Sequence, residues 1–165
     1  MKIGYYELAY EDIEQISRLE QEFFSIPWSE ASIGHYADSG NMIFLVARSE
    51  EPYISDSGKP DRDPQFLPRK VVGYAAILCA ADEGNLVSIG VHRDYRQMGI
   101  ATELLDIAYE MAAGRGVASI NLEVRESNHP AIRFYEKEGF VLTGKRPRFY
   151  RDPAEDALLY IRQLS

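Results

Sequence analysis

The stretch that most restricts what this chain can fold into is NLVSIGVHRDYRQMGIATELL, residues 85–105. Its first part, residues 85–92, is short and β-branched, as strands are, and from Ile100 onward apolar residues recur at helical spacing. The helix should run to MAAGRG, where Gly114 or Gly116 stops it, and ASINLEV (118–124) reads as the next strand. A strand feeding a helix that feeds a strand is a crossover unit, which belongs to layered α/β architectures. The helix entrance is bare. Gly99 and Ala101 carry almost no side chain, with Arg96 just before them. A helix start leaves about four N–H groups unpaired and carries roughly half a positive charge, so it can seat a phosphate. Either this entrance receives a pyrophosphate, or Gly99 eases a turn and Ala101 packs against the strand; the stretch alone leaves both open.

The flanking segments extend the pattern. Ile13, Ile16, Leu19 and Phe23 form one apolar face of a first helix, and Ser29 is an N-cap candidate for a second helix ending near Ala37. Strands are expected at 42–48 and 71–80. The stretch between them, at about 49–70, holds four of the eight prolines and reads as a loop long enough to be either functional or mobile. After 124, SNHPAIRFYEKEGF puts Asn128 or His129 at a cap, Pro130 at the first helical position and Gly139 past the end. Two strands follow, FVLTGK and DALLYIRQL, joined by the basic turn RPRFYRDPAE. The expectation is a single α/β domain over 1–165, a mixed sheet with helices on both faces and βα crossovers after 92 and 124.

Composition removes several functions. A net charge of −8 lacks the cationic surplus that phosphate backbones require, so no direct nucleic-acid role is expected. The longest apolar run, VVGYAAILCAA, is too short to span a bilayer, which points to no membrane role and a cytoplasmic protein. His35, His92 and His129 share no ligand spacing with other donors, so no metal is expected, and the lone Cys79 sits in an apolar run where thiols are inert. No P-loop, nucleophile elbow or dinucleotide fingerprint occurs.

VSIGVHRDYRQMGIATELL resembles the coenzyme A motif of the GCN5-related N-acetyltransferases: Arg or Gln, two residues, Gly, one residue, Gly or Ala. GVASINLEVRESNHPAIRFYEKEGF is similar to the second half of that signature. IPWSE and RPRFYRDPAEDALLY resemble the RimI branch, which acetylates the N-terminus of a ribosomal protein. The resemblance implies the mostly antiparallel sheet of that fold, with acetyl-CoA as co-substrate. It implies pantetheine pairing with the backbone of Ile89, Gly90 and Val91, a Val91 N–H on the thioester carbonyl, and pyrophosphate on Arg96, Gln97, Met98, Gly99, Ile100, Ala101 and Thr102. Asn128 would touch the coenzyme arm or simply cap a helix, and Trp28 and Tyr150 would wall the peptide site, Trp28 with a core-plug alternative. The 49–70 insertion is foreign to the branch, and Ala101 stands where glycine is commoner.

Glu123 carries a bottom-up argument as well. In INLEV, Leu122 and Val124 share one face and Asn121, Glu123 and Arg125 the other, so a carboxylate projects from mid-strand. If buried, it would gain basicity and could take a proton from an ammonium; if exposed, it is a cross-strand ion-pair member. The resemblance makes Tyr135 the acid that protonates the leaving thiolate, and a core position is the alternative. An α-amine, at about 7.7 to 8.0, needs less help than a lysine at about 10.4. The expected function is acetylation of an Ala- or Ser-initiated protein, a ribosomal one by the RimI resemblance. The alternatives are a lysine or small-molecule amine as acceptor, and a non-catalytic coenzyme-binding or partner-binding module. The basic group Lys145, Arg146, Arg148 and Arg151 touches substrate or is a solvated hairpin.

Overall fold

A computed structural model describes residues 2–55 and 63–164. Seven strands form one sheet: β1 (Gly4–Glu7), β2 (Met42–Pro52), β3 (Arg69–Ala80), β4 (Glu83–Val91), β5 (Ser119–Arg125), β6 (Val141–Tyr150) and β7 (Glu155–Gln163). Their spatial order is β1-β2-β3-β4-β5-β7-β6, and every neighbouring pair is antiparallel except β4 with β5. Four α-helices cover it: α1 (Ile13–Phe23), α2 (Glu30–Asp38), α3 (Ile100–Gly114) and α4 (His129–Lys137). Ile16, Leu19 and Ile33 of α1 and α2 pack with Phe44, Val46 and Tyr74 on one face. Leu104, Leu105 and Ala108 of α3 pack with Leu45, Ile77 and Ile120 on the other, joined by Ala131 and Phe134 of α4. The α/β class with helices on both faces is as expected.

Local chemistry explains the ends. The Ser29 hydroxyl accepts from Ser32 N–H at 3.1 Å and so caps α2. Asn128 accepts from Ala131 N–H at 3.3 Å at the start of α4. The chain leaves α3 through Gly116 at φ +84° and α4 through Gly139 at φ +91°, backbone angles that side chains other than hydrogen disfavour.

Three expectations change. β1 has no sequence signal, because a four-residue edge strand needs only a partner, and it finds one in residues 45–48 of β2. The crossover after 124 does not place its next strand beside β5: β7 inserts between β5 and β6, leaving β4–β5 as the one parallel pair among the described residues. The strands around the insertion are longer than expected, since β2 continues to Pro52 through register shifts and β3 begins at Arg69, narrowing the connection to 53–68. Of the expected insertion, residues 56–62 lie outside the described residues.

Candidate active site

β4 and β5 pair over only three rungs, ending at Asn85 opposite Asn121. Beyond that rung the strands part. The cause is visible on β4, where the register against β3 slips between Ala76/Ser88 and Ile77/Leu86, so that Val87 is the extra residue of a bulge. A bulge bends its own strand and strengthens its twist. The fork opens into a cavity of about 600 Å³ bounded by β4, β5, the α1–α2 loop, the start of α3, α4 and Tyr150.

The free edge of β4 is suited to an extended amide chain. His92 N–H bonds Val72 C=O on β3 at 2.8 Å, so by the alternation of an antiparallel strand Ile89 and Val91 turn their N–H and C=O groups towards the fork. Gly90 is required by packing, because a Cβ there would lie 2.9 Å from the Phe23 ring and 3.0 Å from Tyr74. At the other side of the opening, the first backbone bond of α3 runs from Glu103 N–H to Gly99 C=O at 3.0 Å. The N–H groups of Ile100, Ala101 and Thr102 precede it and have no intrahelical acceptor. Gln97 and Gly99 take φ of +61° and +79°, which folds the approach back on itself, and a Cβ on Gly99 would meet nothing within 4 Å. Gly99 thus makes the turn and leaves the helix entrance uncrowded. A strand edge and a bare helix start facing one cavity fit the pantetheine and pyrophosphate of a coenzyme A thioester.

Of the expected coenzyme residues, Ile89, Gly90, Val91, Arg96, Ala101 and Asn128 line the cavity. Gln97, Met98, Gly99, Ile100 and Thr102 do not, and Ile100 turns its side chain into the core at 2% exposure, so it can offer only its backbone. Arg96 folds back: its Nε donates to Val91 C=O at 3.1 Å and its guanidinium lies 5.1 Å from the Phe23 ring centroid. Asn128 spends its carbonyl oxygen on the cap and keeps its amide nitrogen for another acceptor.

Glu123, Tyr135 and Tyr150 share the cavity wall. Glu123 is half-buried and open to the cavity, between the buried and the exposed alternatives that the strand alternation left open. One hydrogen bond reaches it among the described residues, from Asn85 Nδ2 at 3.3 Å. Burial pushes the Tyr135 phenol well above its ordinary range, with Tyr150 and Tyr109 adding to the rise. Burial and the Glu123 charge push Tyr150 up to about 12. Both phenols are therefore protonated near neutrality.

Trp28 is not a cavity wall. Its ring packs on Tyr36 and Phe44 at centroid distances of 5.0 and 6.0 Å, its backbone N–H donates to Glu20 at 3.1 Å and its backbone carbonyl accepts from Ser17 at 3.3 Å. Phe23, Phe24, Ser25 and Ile26 line the cavity in its stead. Phe23 belongs to the apolar period of α1, whereas Phe24, Ser25 and Ile26 carry no periodic or motif signal, because they leave α1 as a loop whose direction Glu20 sets.

Two of the four basic side chains of the hairpin are engaged. Lys145 pairs with Glu126 at 2.9 Å and Asp156 at 3.4 Å, and Arg146 lies 5.9 Å from the Phe149 ring. Arg125 lies 4.4 Å from the Tyr150 ring while donating to Pro153 C=O at 2.9 Å and Arg151 C=O at 3.1 Å. Cys79 is half-buried, and burial raises its thiol. Among the described residues no group of three donors could hold a metal, and no helix is long and apolar enough to cross a membrane.

The profile of the acetyltransferase (GNAT) family matches residues 13–140. A putative ribosomal protein bS18-alanine N-acetyltransferase of Bacillus subtilis (strain 168) is 26% identical over 152 residues, 92% of this chain and 89% of that one. The Escherichia coli (strain K12) ribosomal protein bS18-alanine N-acetyltransferase is 28% identical over 156 residues, 93% of each chain. The crystal structure of the Escherichia coli enzyme superposes with a TM-score of 0.79 at 26% identity, covering 99% of this chain and 95% of that one. Arabidopsis thaliana NAA60 in complex with acetyl-CoA shares the fold, with a TM-score of 0.78 at 19% identity over 98% of each chain. With the forked sheet and the bare helix entrance, these matches place the chain in the GNAT family, as an N-acetyltransferase of RimI-like type.

Proposed function

We propose that this enzyme moves the acetyl group of acetyl-CoA to the N-terminal α-amine of a protein beginning with Ala or Ser, a small-subunit ribosomal protein of the bS18 type, in the cytoplasm. The observation that carries the reading is the fork itself, where one cavity exposes the free β4 edge, the α3 entrance, a carboxylate and a phenol. Similarity over nine-tenths of the chain to two bS18-alanine N-acetyltransferases supports the acceptor.

Ile89 and Val91 hold the donor arm through backbone bonds, and the N–H groups of Ile100 to Thr102 with Arg96 hold the phosphates, so Arg96 leaves its Val91 contact when the site fills. Asn128 binds the arm through its amide nitrogen. Acetyl-CoA supplies an acyl group on a good leaving thiolate. Val91 N–H then polarises the acyl carbonyl, a fixed donor of the kind that contributes a few kcal/mol. Glu123 takes the proton from the incoming ammonium, which leaves the amine lone pair free to attack. As the C–N bond forms and the C–S bond breaks, Tyr135 gives its proton to the departing sulfur, the acylated nitrogen sheds its second proton to water, and Tyr135 recovers one from solvent. Tyr150, with Phe24 and Ile26, bounds the peptide end, and Trp28 acts from behind by supporting the α1–α2 loop.

The test is thiol release from acetyl-CoA with peptides beginning Ala, Ser or Met and with an N-blocked lysine peptide. The Ala and Ser peptides should turn over fastest. Acetylation of only the lysine peptide would overturn the acceptor, and no turnover with any amine would favour a coenzyme-binding module.

A further inference from the structure

Asn85 stands at the last rung before the fork, directly opposite Asn121. Its Nδ2 lies 2.5 Å from Asn121 Oδ1, 3.3 Å from Asn121 C=O and 3.3 Å from Glu123 Oε2. Three acceptors converge on this amide. Its own carbonyl oxygen could not face them without repulsion, so the amide orientation is determined by its surroundings. Asn121 anchors one proton of the NH₂ group, and the other is directed between the Asn121 carbonyl and the carboxylate.

We propose that Asn85 is a positioning residue for Glu123, holding the carboxylate in the rotamer that faces the cavity. This rests on Glu123 being the base of the reaction. A glutamate side chain turns about three bonds, and Glu123 receives no other hydrogen bond among the described residues. Its neighbour on the same strand face is Arg125, two residues on, whose guanidinium would attract a loosened carboxylate away from the acceptor amine. Asn85 engages only Oε2, which leaves Oε1 to take the ammonium proton. Neither Asn85 nor Asn121 lines the cavity, so both act through Glu123 rather than on substrate.

The experiment is a double-mutant cycle on kcat with Asn85→Ala, Glu123→Gln and the pair, with Asn85→Asp as a second probe. Asn85→Ala should lower kcat about tenfold, the size of one hydrogen bond to a charged group, and leave KM for acetyl-CoA unchanged. Asn85→Asp, the same shape with the donor replaced by a charge, should lower it further. In the Glu123→Gln background Asn85→Ala should change kcat less than about twofold, because coupled residues are not additive. An equal loss in both backgrounds, or a loss only in KM, would show a structural role and overturn the proposal. Full kcat in Glu123→Gln alone would instead overturn the base on which it rests.

Discussion

Ser88 donates a hydrogen bond to the Glu20 carboxylate at 2.8 Å, joining helix α1 to β4 immediately after its bulge. The Tyr74 hydroxyl donates to the same oxygen, and Trp28 N–H to the other at 3.1 Å. Glu20 is only 2% exposed, so one carboxylate ties together the helix, the strand edge and the loop that walls the cavity. Buried polar groups of this kind are tolerated only when every donor has its acceptor. Tyr74 answers the same logic, its phenol driven far above the ordinary range by burial and the Glu20 charge.

Glu20→Ala should therefore cost about 3 kcal/mol of stability, by leaving buried donors without acceptors. It should also raise KM for the peptide more than KM for acetyl-CoA, since the released loop carries Phe24 and Ile26. Chemical denaturation with the two KM values checks both.

Glu123→Gln and Tyr135→Phe should each reduce kcat by roughly 10²-fold without abolishing it, the low end of acid–base catalysis. Alignment of the reactants, which can supply roughly 7 to 11 kcal/mol, survives both changes. Calorimetric Kd for acetyl-CoA should be unaltered. Wild-type turnover in Tyr135→Phe would remove the phenol from the mechanism.

Gly99→Ala should cost about 1 kcal/mol of stability through the positive φ alone, since no atom stands within 4 Å of the added Cβ. Gly99→Val should also weaken acetyl-CoA binding, because its branches would stand at the α3 entrance. Thermal unfolding with and without ligand separates the two effects.

Stability should fall as pH rises above about 10, where phenols of the unfolded chain ionise. Tyr74 and Tyr135 have folded values raised by burial, so the native state holds their protons longer than the unfolded chain does. Their contribution is full below the unfolded value and declines through the window up to the folded one, by up to about 1.4 kcal/mol per pH unit for each phenol. Tyr150, raised to about 12, adds a smaller share that ends near that pH. Denaturant midpoints between pH 8 and 11 should show the decline, and Tyr135→Phe should flatten it.

What the sequence determined by itself is whatever local spacing encodes. The apolar period of α1 and α3, the Ser29 and Asn128 caps, the glycines at 99, 116 and 139, and the alternation that sends Glu123 and Val124 to opposite faces of β5 all follow from neighbouring residues. Tertiary structure decided the rest. The insertion of β7 between β5 and β6 depends on pairing between distant segments, which no local propensity specifies. The parting of β4 from β5 depends on a bulge at Val87 that leaves no mark on composition. Trp28 became a support rather than a wall because a carboxylate eight residues earlier holds its backbone. Asn85 reached Glu123, 38 positions along the chain, only because the last parallel rung sets it opposite Asn121, a proximity that arises from chain folding and not from sequence spacing.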